Sequence, residues 1–303
     1  GNLMKPDSRL AEKIKGRDFI YTAEYLPRPG ADAAAVEKSA AALGQGAVAV
    51  NVADNHYGVA MSSLAASLIL LKAGIEPVYQ IVTRDRNRIA LQSDLLGAAA
   101  LGIRNVLCLT GYHQALIGCP DSANVFDIDS IQLISAVKDM MEKGVLMDGR
   151  KIEGQFSMLV GAAANAALRP LELNIMRIKK KARAGAGFFQ TQAVFDIEGF
   201  KQWLDALRSE GIVQSSAILA GVIPLSGAAE ARKLNSTFTD FSIPEDVIKR
   251  LESAGDEESQ RKEGIAICAE TMGRLKELPG LRGIHIFSGG NEAAVPALVS
   301  AML

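Results

Sequence analysis

Two amides and a hydroxyl close an apolar stretch in the middle of the chain, at Gln190, Thr191 and Gln192. The stretch belongs to the segment AGAGFFQTQAVFD (184–196), which follows a lysine-rich helical sequence. Ala-Gly-Ala-Gly disfavours continuation of that helix, so FFQTQ is predicted to be a buried strand that carries polar groups at its C-terminal end. An amide does no covalent chemistry, but it can hold a flat polar ligand by paired hydrogen bonds.

One carboxylate, Glu24, ends another apolar run, FIYTAEY, directly before the turn sequence PRPG. Desolvation raises the pKa of a carboxyl group among apolar and aromatic neighbours, which suits a general acid near neutral pH. The alternative is an ion pair with Arg28 or with another cation at a strand end. The residues alone leave both interpretations open.

The elements that position these groups are short apolar runs that alternate with helical stretches. Eight such units in 303 residues predict an α/β protein with a (β/α)8 TIM barrel. A doubly wound open sheet is disfavoured, because no GxGxxG turn follows the first strand. The predicted strands cover residues 19–25, 47–52, 77–82, 105–110, 155–161, 187–191, 217–223 and 283–287.

We predict a single barrel domain over residues 19–303, preceded by an N-terminal extension over residues 1–18. Two polar helices within residues 236–277 are predicted to form an extra helical segment between the seventh and eighth strands. In this architecture the active site is built from the carboxyl ends of the strands. The polar residues at those ends therefore carry the functional expectation.

Composition excludes several classes of function. A net charge of −1 leaves no basic footprint for nucleic acid, and no apolar run reaches the length needed to cross a membrane. The three cysteines are far apart in sequence and form no CxxC pair, so we expect neither a metal site nor a disulfide scaffold. This cysteine usage predicts a cytoplasmic protein.

Six motifs together resemble the methylenetetrahydrofolate reductase family, in its bacterial flavin-dependent type with the catalytic barrel only: AEYLPRP, YQIVTRDRNR, NVLCLTG, VFDIDS, GAAAN and AGAGFFQTQAVFD. The resemblance implies a noncovalent FAD, with FMN as the alternative, and NAD(P)H as the electron donor. It also implies reduction of 5,10-methylenetetrahydrofolate to 5-methyltetrahydrofolate by hydride from the flavin. Glu24 would protonate N10 as the general acid, and Gln192 would bind the pterin ring.

The resemblance places the cofactor on four parts of the chain. These are the segment after the third strand, the end of the fourth strand, the GAAAN sequence interpreted as a small-residue loop, and one face of the lysine-rich helix. The expected cofactor contacts are Gln80, Thr83, Thr110, Gly111, Tyr112, Gly161, Asn165, Asn174, Arg177, Lys180 and Lys181.

Tyr112 is the main departure from the family pattern, which shows R-G-D or T-G-D at the end of the fourth strand. The family's aspartate lies over the flavin and the pterin, and we expect Tyr112 to contact the substrate there. A tyrosine can stack or donate a hydrogen bond, but it supplies no negative charge at neutral pH. A flavin of shifted potential, a different electron donor and a lost reductase reaction are all open alternatives.

Two other functions are kept as alternatives to a reductase. One is a barrel methyltransferase that binds methyltetrahydrofolate and needs no flavin. The other is a flavin- or folate-binding subunit of a larger complex, with an electron-transfer partner protein. We expect tetrahydrofolate as the small-molecule partner, no nucleic-acid or membrane partner, and a homo-oligomer.

Overall fold

The computed structural model describes residues 7–240, 242–289 and 291–303. Eight parallel strands form a closed barrel in the order of the sequence, which confirms the predicted α/β barrel. The strands are β1 (Ile20–Tyr25), β2 (Ala49–Val52), β3 (Pro77–Val82), β4 (Asn105–Leu109), β5 (Leu159–Ala164), β6 (Phe188–Ala193), β7 (Ala217–Val222) and β8 (Gly283–Phe287).

Helices cover the outside of the barrel, and most begin at a side chain that accepts a hydrogen bond from a free amide of the first turn. At Asp129 the cap is reciprocal, because Gln132 also accepts from the Asp129 amide. No helix among the described residues is long and apolar enough to span a membrane. The helices are α1 (Arg9–Gly16), α2 (Ala33–Leu43), α3 (Ser63–Lys72), α4 (Arg88–Ala100), α5 (Ser130–Glu142), α6 (Leu171–Ala184), α7 (Ile197–Ser209), α8 (Ile212–Ser215), α9 (Ala228–Thr237), α10 (Glu245–Ser253), α11 (Glu257–Lys276) and α12 (Ala294–Met302), with a 3-10 turn at Gln114–Ile117.

The amino end of the barrel is apolar and closed. Leu10 of α1 is fully buried against an interior layer that includes Ile20, Val78 and Phe188. The carboxylate of Glu76 accepts hydrogen bonds from the Arg9 and Leu10 amides and so holds the first turn of α1 in place. Helix α1 thus packs as the floor of the barrel. The division into an N-terminal extension (1–18) and a barrel domain (19–303) stays a prediction.

The middle of the barrel is polar and fully connected. Gln190 and Asn51 exchange amide hydrogen bonds, of 2.5 Å from Asn51 Nδ2 and 3.0 Å from Gln190 Nε2. Gln190 Nε2 also donates to Thr22 Oγ1, which is 2.8 Å from Nδ1 of His285. Because Gln190 uses its polar atoms inside this layer, it supports the barrel and has no free donor for a ligand.

The fifth strand lies later than predicted. The sequence predicts a strand at 155–161 and a loop over GAAAN, but β5 runs from Leu159 to Ala164. Glycine and alanine have low strand propensity, yet pairing with β4 and β6 on both sides fixes the extended conformation. A Cβ at Gly161 would lie 2.2 Å from Cζ of Phe188, so the glycine makes room for that ring.

The excursion between β7 and β8 holds three helices, which confirms an extra helical segment there and changes its bounds. The sequence prediction missed α9 and interpreted α11 as part of the insertion. In the structure α11 packs on β7, β8, α7 and α12, so it is the barrel's own seventh helix. Among the described residues of the excursion, α9 and α10 are the additional helices, and they pack around a small core that includes Leu225, Ile243 and Leu251.

Replacement of Gly161 by alanine is expected to lower the free energy of unfolding by about 1–3 kcal/mol, because the new methyl group overpacks against Phe188. The matched control is Gly97→Ala in α4, where an added Cβ meets nothing within 4 Å. That control is expected to stabilise the protein by up to about 1 kcal/mol through helix propensity. Urea unfolding monitored by circular dichroism measures both; equal stability of the two variants would contradict the packing argument.

Candidate active site

A cavity of about 270 Å³ opens at the carboxyl ends of the strands. Its walls come from six of the eight strands, and from loops and helices that follow them. Apolar surface is supplied by residues such as Leu107, Ala163 and Phe287. The polar lining consists of Glu24, Asp54, His56, Gln80, Arg84, Cys108, Thr110, Tyr112, Ser130, Lys181, Gln190, Thr191, Gln192, Asp240 and His285.

Glu24 lies at the end of β1 with its side chain in the cavity wall and only 6% exposed. Gln80 Nε2 donates to its Oε2 at 3.4 Å, and no cation contacts it among the described residues. Burial raises the pKa of Glu24 from 4.5 to about 7, against a smaller lowering by the Gln80 hydrogen bond. The ion pair with Arg28 that the sequence left open is not formed, and the carboxyl is poised to carry a proton at neutral pH.

The end of β4 is shaped by Gly111 and by a buried arginine. Gly111 has φ of +88°, a conformation that side chains rarely adopt, and it turns the chain toward Arg84. The guanidinium of Arg84 donates to the carbonyl of Tyr112 at 3.1 Å and to that of Asn55 at 3.2 Å. Asp85 pairs with the same guanidinium. This arginine therefore ties the loops after β2 and β4 together and fixes the backbone of Tyr112.

A bulge in β6 places Gln192 at the cavity. The pairing of β6 with β7 shifts register between Gln190 and Ala193, and the Gly221 amide donates to Oγ1 of Thr191 at 2.9 Å. Bulges of this kind re-aim side chains beside active sites. Gln192 reaches the cavity wall above the polar layer, with its Nε2 3.2 Å from Oδ2 of Asp240.

The segment that follows α9, residues 238–240, covers one side of the cavity. The ring of Phe238 lies 4.9 Å from that of Tyr112 and 5.9 Å from those of His56 and Tyr57. Asp240 accepts a hydrogen bond of 2.7 Å from the Tyr112 hydroxyl, and its carbonyl accepts one from the Asn165 amide. Burial, followed by the hydrogen bond to Asp240, raises the pKa of Tyr112, so the phenol is the donor.

The lysine-rich helix contributes one cation to the cavity. Lys181 lies in the wall and donates to the carbonyl of Ala163 at 2.8 Å; burial and nearby Arg177 lower its pKa. Arg177 and Lys180 are exposed on α6 outside the cavity lining. Asn174 is buried, donates to the carbonyls of Asn165 and Leu168, and accepts from Trp203.

The structure brings seven of the thirteen predicted site residues to the cavity: Glu24, Gln80, Thr110, Gly111, Tyr112, Lys181 and Gln192. The other six lie elsewhere. Asn165 lines a neighbouring cavity of about 180 Å³, and Thr83 is buried behind the wall. Gly161 packs against Phe188, and Asn174 donates to backbone carbonyls. Arg177 and Lys180 lie on the outer surface of α6.

Arg84, His56 and Asp240 also line the cavity, and the sequence analysis assigned none of them to the site. The position of Arg84, two residues after an apolar strand, was a usable signal. His56 is in a loop after β2, and burial and Arg84 lower its pKa to about 4. Asp240 gave no signal, because it lies in a segment whose path over the barrel depends on α9. No group of three side chains suited to hold a metal ion occurs in the part of the chain that the structure describes.

The model of the family described as methylenetetrahydrofolate reductase matches residues 9–302. This chain belongs to the methylenetetrahydrofolate reductase family. The match covers all eight strands and every residue that lines the cavity. It confirms the family resemblance that the motifs indicated.

Relatives in the family are distant. The chain is 24% identical over 246 residues to a probable methylenetetrahydrofolate reductase (NADPH) of Caenorhabditis elegans, a match that covers 80% of this chain and 34% of that protein. It is 23% identical over 187 residues to the 5,10-methylenetetrahydrofolate reductase of Escherichia coli, covering 62% of this chain and 56% of the other. The matched regions thus amount to about a third and about half of those proteins.

Solved structures support the fold. A protein from Clostridium thermocellum, described as binding two copies of 5-methyl-5,6,7,8-tetrahydrofolic acid, superposes with a TM-score of 0.68 at 16% identity, covering 97% of this chain and 99% of that one. A 2,3-dimethylmalate lyase superposes with a TM-score of 0.51 at 13% identity, covering 98% and 86%. At these identities the likeness concerns the barrel alone.

The environment of Glu24 predicts a pH dependence of stability. Between pH 4.5 and 7 the unfolded chain loses a proton that folded Glu24 keeps, so the free energy of unfolding decreases across this window. The loss is expected to reach about 3 kcal/mol, at 1.36 kcal/mol per pKa unit. Urea titrations from pH 4 to 8 should show this decrease in the wild type and its absence in Glu24→Gln. Exposed Glu37→Gln in α2 is the control, and parallel curves for wild type and Glu24→Gln would refute the raised pKa.

Proposed function

We propose that this chain is the catalytic barrel of a flavin-dependent 5,10-methylenetetrahydrofolate reductase. One observation carries the proposal: a buried carboxyl with a pKa of about 7, Glu24, shares a cavity with the amide of Gln192 and the Gly111–Tyr112 turn. Family membership supports the reaction class. The Clostridium thermocellum protein of the same fold supports a reduced folate as the ligand.

The residues of the cavity fit a flavin. Apolar surface from Leu107, Ala163 and Phe287 suits a flat ring, and the amide of Gln80 can hydrogen-bond its polar edge. Gly111 lines the cavity, and its lack of a side chain lets the turn pack closely on Val82 and Arg84. Lys181 supplies a positive charge in the wall, as a flavin phosphate requires. A bound reduced flavin would supply the hydride that the methylene carbon receives.

Glu24 carries the proton chemistry in this proposal. Burial keeps Glu24 protonated near neutral pH. Glu24 gives this proton to N10 of the folate, and the bond between N10 and the methylene carbon breaks with its electron pair left on N10. Gln192 orients the pterin by its amide, and the walls of Phe238 and Tyr112 keep water from the reacting carbon. After turnover the Glu24 carboxylate regains a proton from solvent.

The proposal includes the other parts of the family's chemistry. FAD is the proposed flavin, with FMN as the alternative, and NAD(P)H is the proposed electron donor, with an electron-transfer partner protein as the alternative. We place the enzyme in the cytoplasm as a homo-oligomer. Arg177 and Lys180 fit a role in holding the part of a dinucleotide that extends beyond the cavity, since Arg177 is near enough to Lys181 to lower its pKa.

The first test is an absorbance spectrum of the purified protein, followed by anaerobic addition of methylenetetrahydrofolate to the photoreduced sample. Flavin bands should be present and should return on addition of the substrate. A bound flavin that stays bleached would overturn the reductase assignment. Protein that binds no flavin even after reconstitution would favour the methyltransferase alternative.

Glu24→Gln tests the general acid. The variant should keep its flavin and lose about 10²–10⁴-fold in the rate at which methylenetetrahydrofolate reoxidises the reduced flavin. In the wild type that rate should fall as pH rises through about 7, because Glu24 must be protonated, and the residual rate of the variant should not. Glu37→Gln is the control with wild-type behaviour. A variant that retains both rate and pH profile would exclude Glu24 as the acid.

A further inference from the structure

We propose that Asp240 is the substrate-facing anion of the active site, which supplies from the β7–β8 excursion the negative charge that Tyr112 lacks. This inference rests on the proposed function and adds a residue that neither the sequence motifs nor the family match singles out. Asp240 follows α9, in the excursion between β7 and β8, whereas Glu24 lies on β1. Both residues line the same cavity.

Three neighbours fix Asp240. Tyr112 donates its hydroxyl proton to Oδ2 at 2.7 Å, and Gln192 donates an amide hydrogen to the same oxygen at 3.2 Å. The Asn165 amide holds the backbone carbonyl. The carboxylate is therefore held from the ends of β4 and β6, and the backbone of Asp240 from the end of β5. Both partners of the carboxylate are residues that the resemblance assigns to the substrate.

The second carboxylate oxygen has no partner. Oδ1 of Asp240 is buried and accepts no hydrogen bond from any part of the chain that the structure describes. A buried acceptor that lacks a donor costs about 1–3 kcal/mol, more when it is charged. Asp240 lines the cavity, so this uncompensated negative charge lies in the wall beside a bound ligand. The ligand that suits this wall develops a positive charge.

A folate substrate develops such a charge. Departure of N10 as Glu24 protonates it leaves a positive charge shared between N5 and the methylene carbon. A fixed carboxylate in a water-poor cavity lowers the energy of that cation before hydride arrives. Tyr112 and Gln192 hold the carboxylate in place, so they act as positioning residues for Asp240 in addition to their own contacts with the ligand.

The test compares wild type with Asp240→Asn, which keeps the shape and removes the charge, and with Asp121→Asn, an exposed aspartate in the loop after β4, as control. Flavin reoxidation by methylenetetrahydrofolate should slow about 100-fold in Asp240→Asn. Flavin content and melting temperature should stay at wild-type values, and the control should match wild type throughout.

A second pair separates charge from packing. Asp240→Glu and Asp240→Gln have the same size and disturb the segment equally, so the glutamate variant should react at least tenfold faster than the glutamine variant. Equal rates in this pair, or a rate in Asp240→Asn within threefold of wild type, would overturn the inference. A wild-type protein that binds flavin but never reacts with the folate would overturn the proposed function itself, and the inference with it.

A charge relocation gives the sharpest result. Tyr112→Asp alone sets two carboxylates side by side and should react more slowly than wild type. Tyr112→Asp combined with Asp240→Asn moves the single negative charge to position 112 and should react at least tenfold faster than Asp240→Asn alone. A purely structural role for Asp240 predicts the opposite order, because the double variant loses more packing and more hydrogen bonds than the single one.

Discussion

Closure of eight parallel strands into one barrel constrains everything else in this structure. Closure aims alternate side chains of every strand inward, so the interior must be filled layer by layer. The lowest layer is apolar and sealed by Leu10, and the middle layer satisfies its polar groups internally through Gln190, Asn51 and Thr22. The upper layer opens into the cavity. The position of the candidate site follows from how the two layers below it are filled.

Two carboxyl groups in the upper layer have different surroundings. Glu24 is buried beside one weak amide donor, and desolvation keeps its proton near neutral pH. Asp240 receives two hydrogen bonds at one oxygen, from Tyr112 and Gln192. Both carboxyl groups line a single cavity. In the proposed reaction Glu24 donates a proton and Asp240 stabilises positive charge, so their different surroundings suit different roles.

The excursion between β7 and β8 supplies the main contacts of the Tyr112 side chain. Seen along the chain, the tyrosine removes a charge from the end of β4. Seen in the fold, its hydroxyl contacts Asp240, and its ring packs on Phe238, both delivered by the segment after α9. The same segment contacts Asn165 of the β5 end. Residues that lie more than a hundred positions apart in the chain therefore meet at the end of β4.

The sequence by itself determined the barrel, the family and seven of the residues at the cavity, because strand periodicity and strand-end motifs are local signals. It also identified Glu24 as the carboxyl to examine. Only the tertiary structure decided the start of β5, the packing role of Gly161 and the burial that sets the pKa of Glu24. It alone placed Asp240 against Tyr112, because contacts between segments distant in sequence depend on the path of α9 over the barrel, which no local pattern encodes.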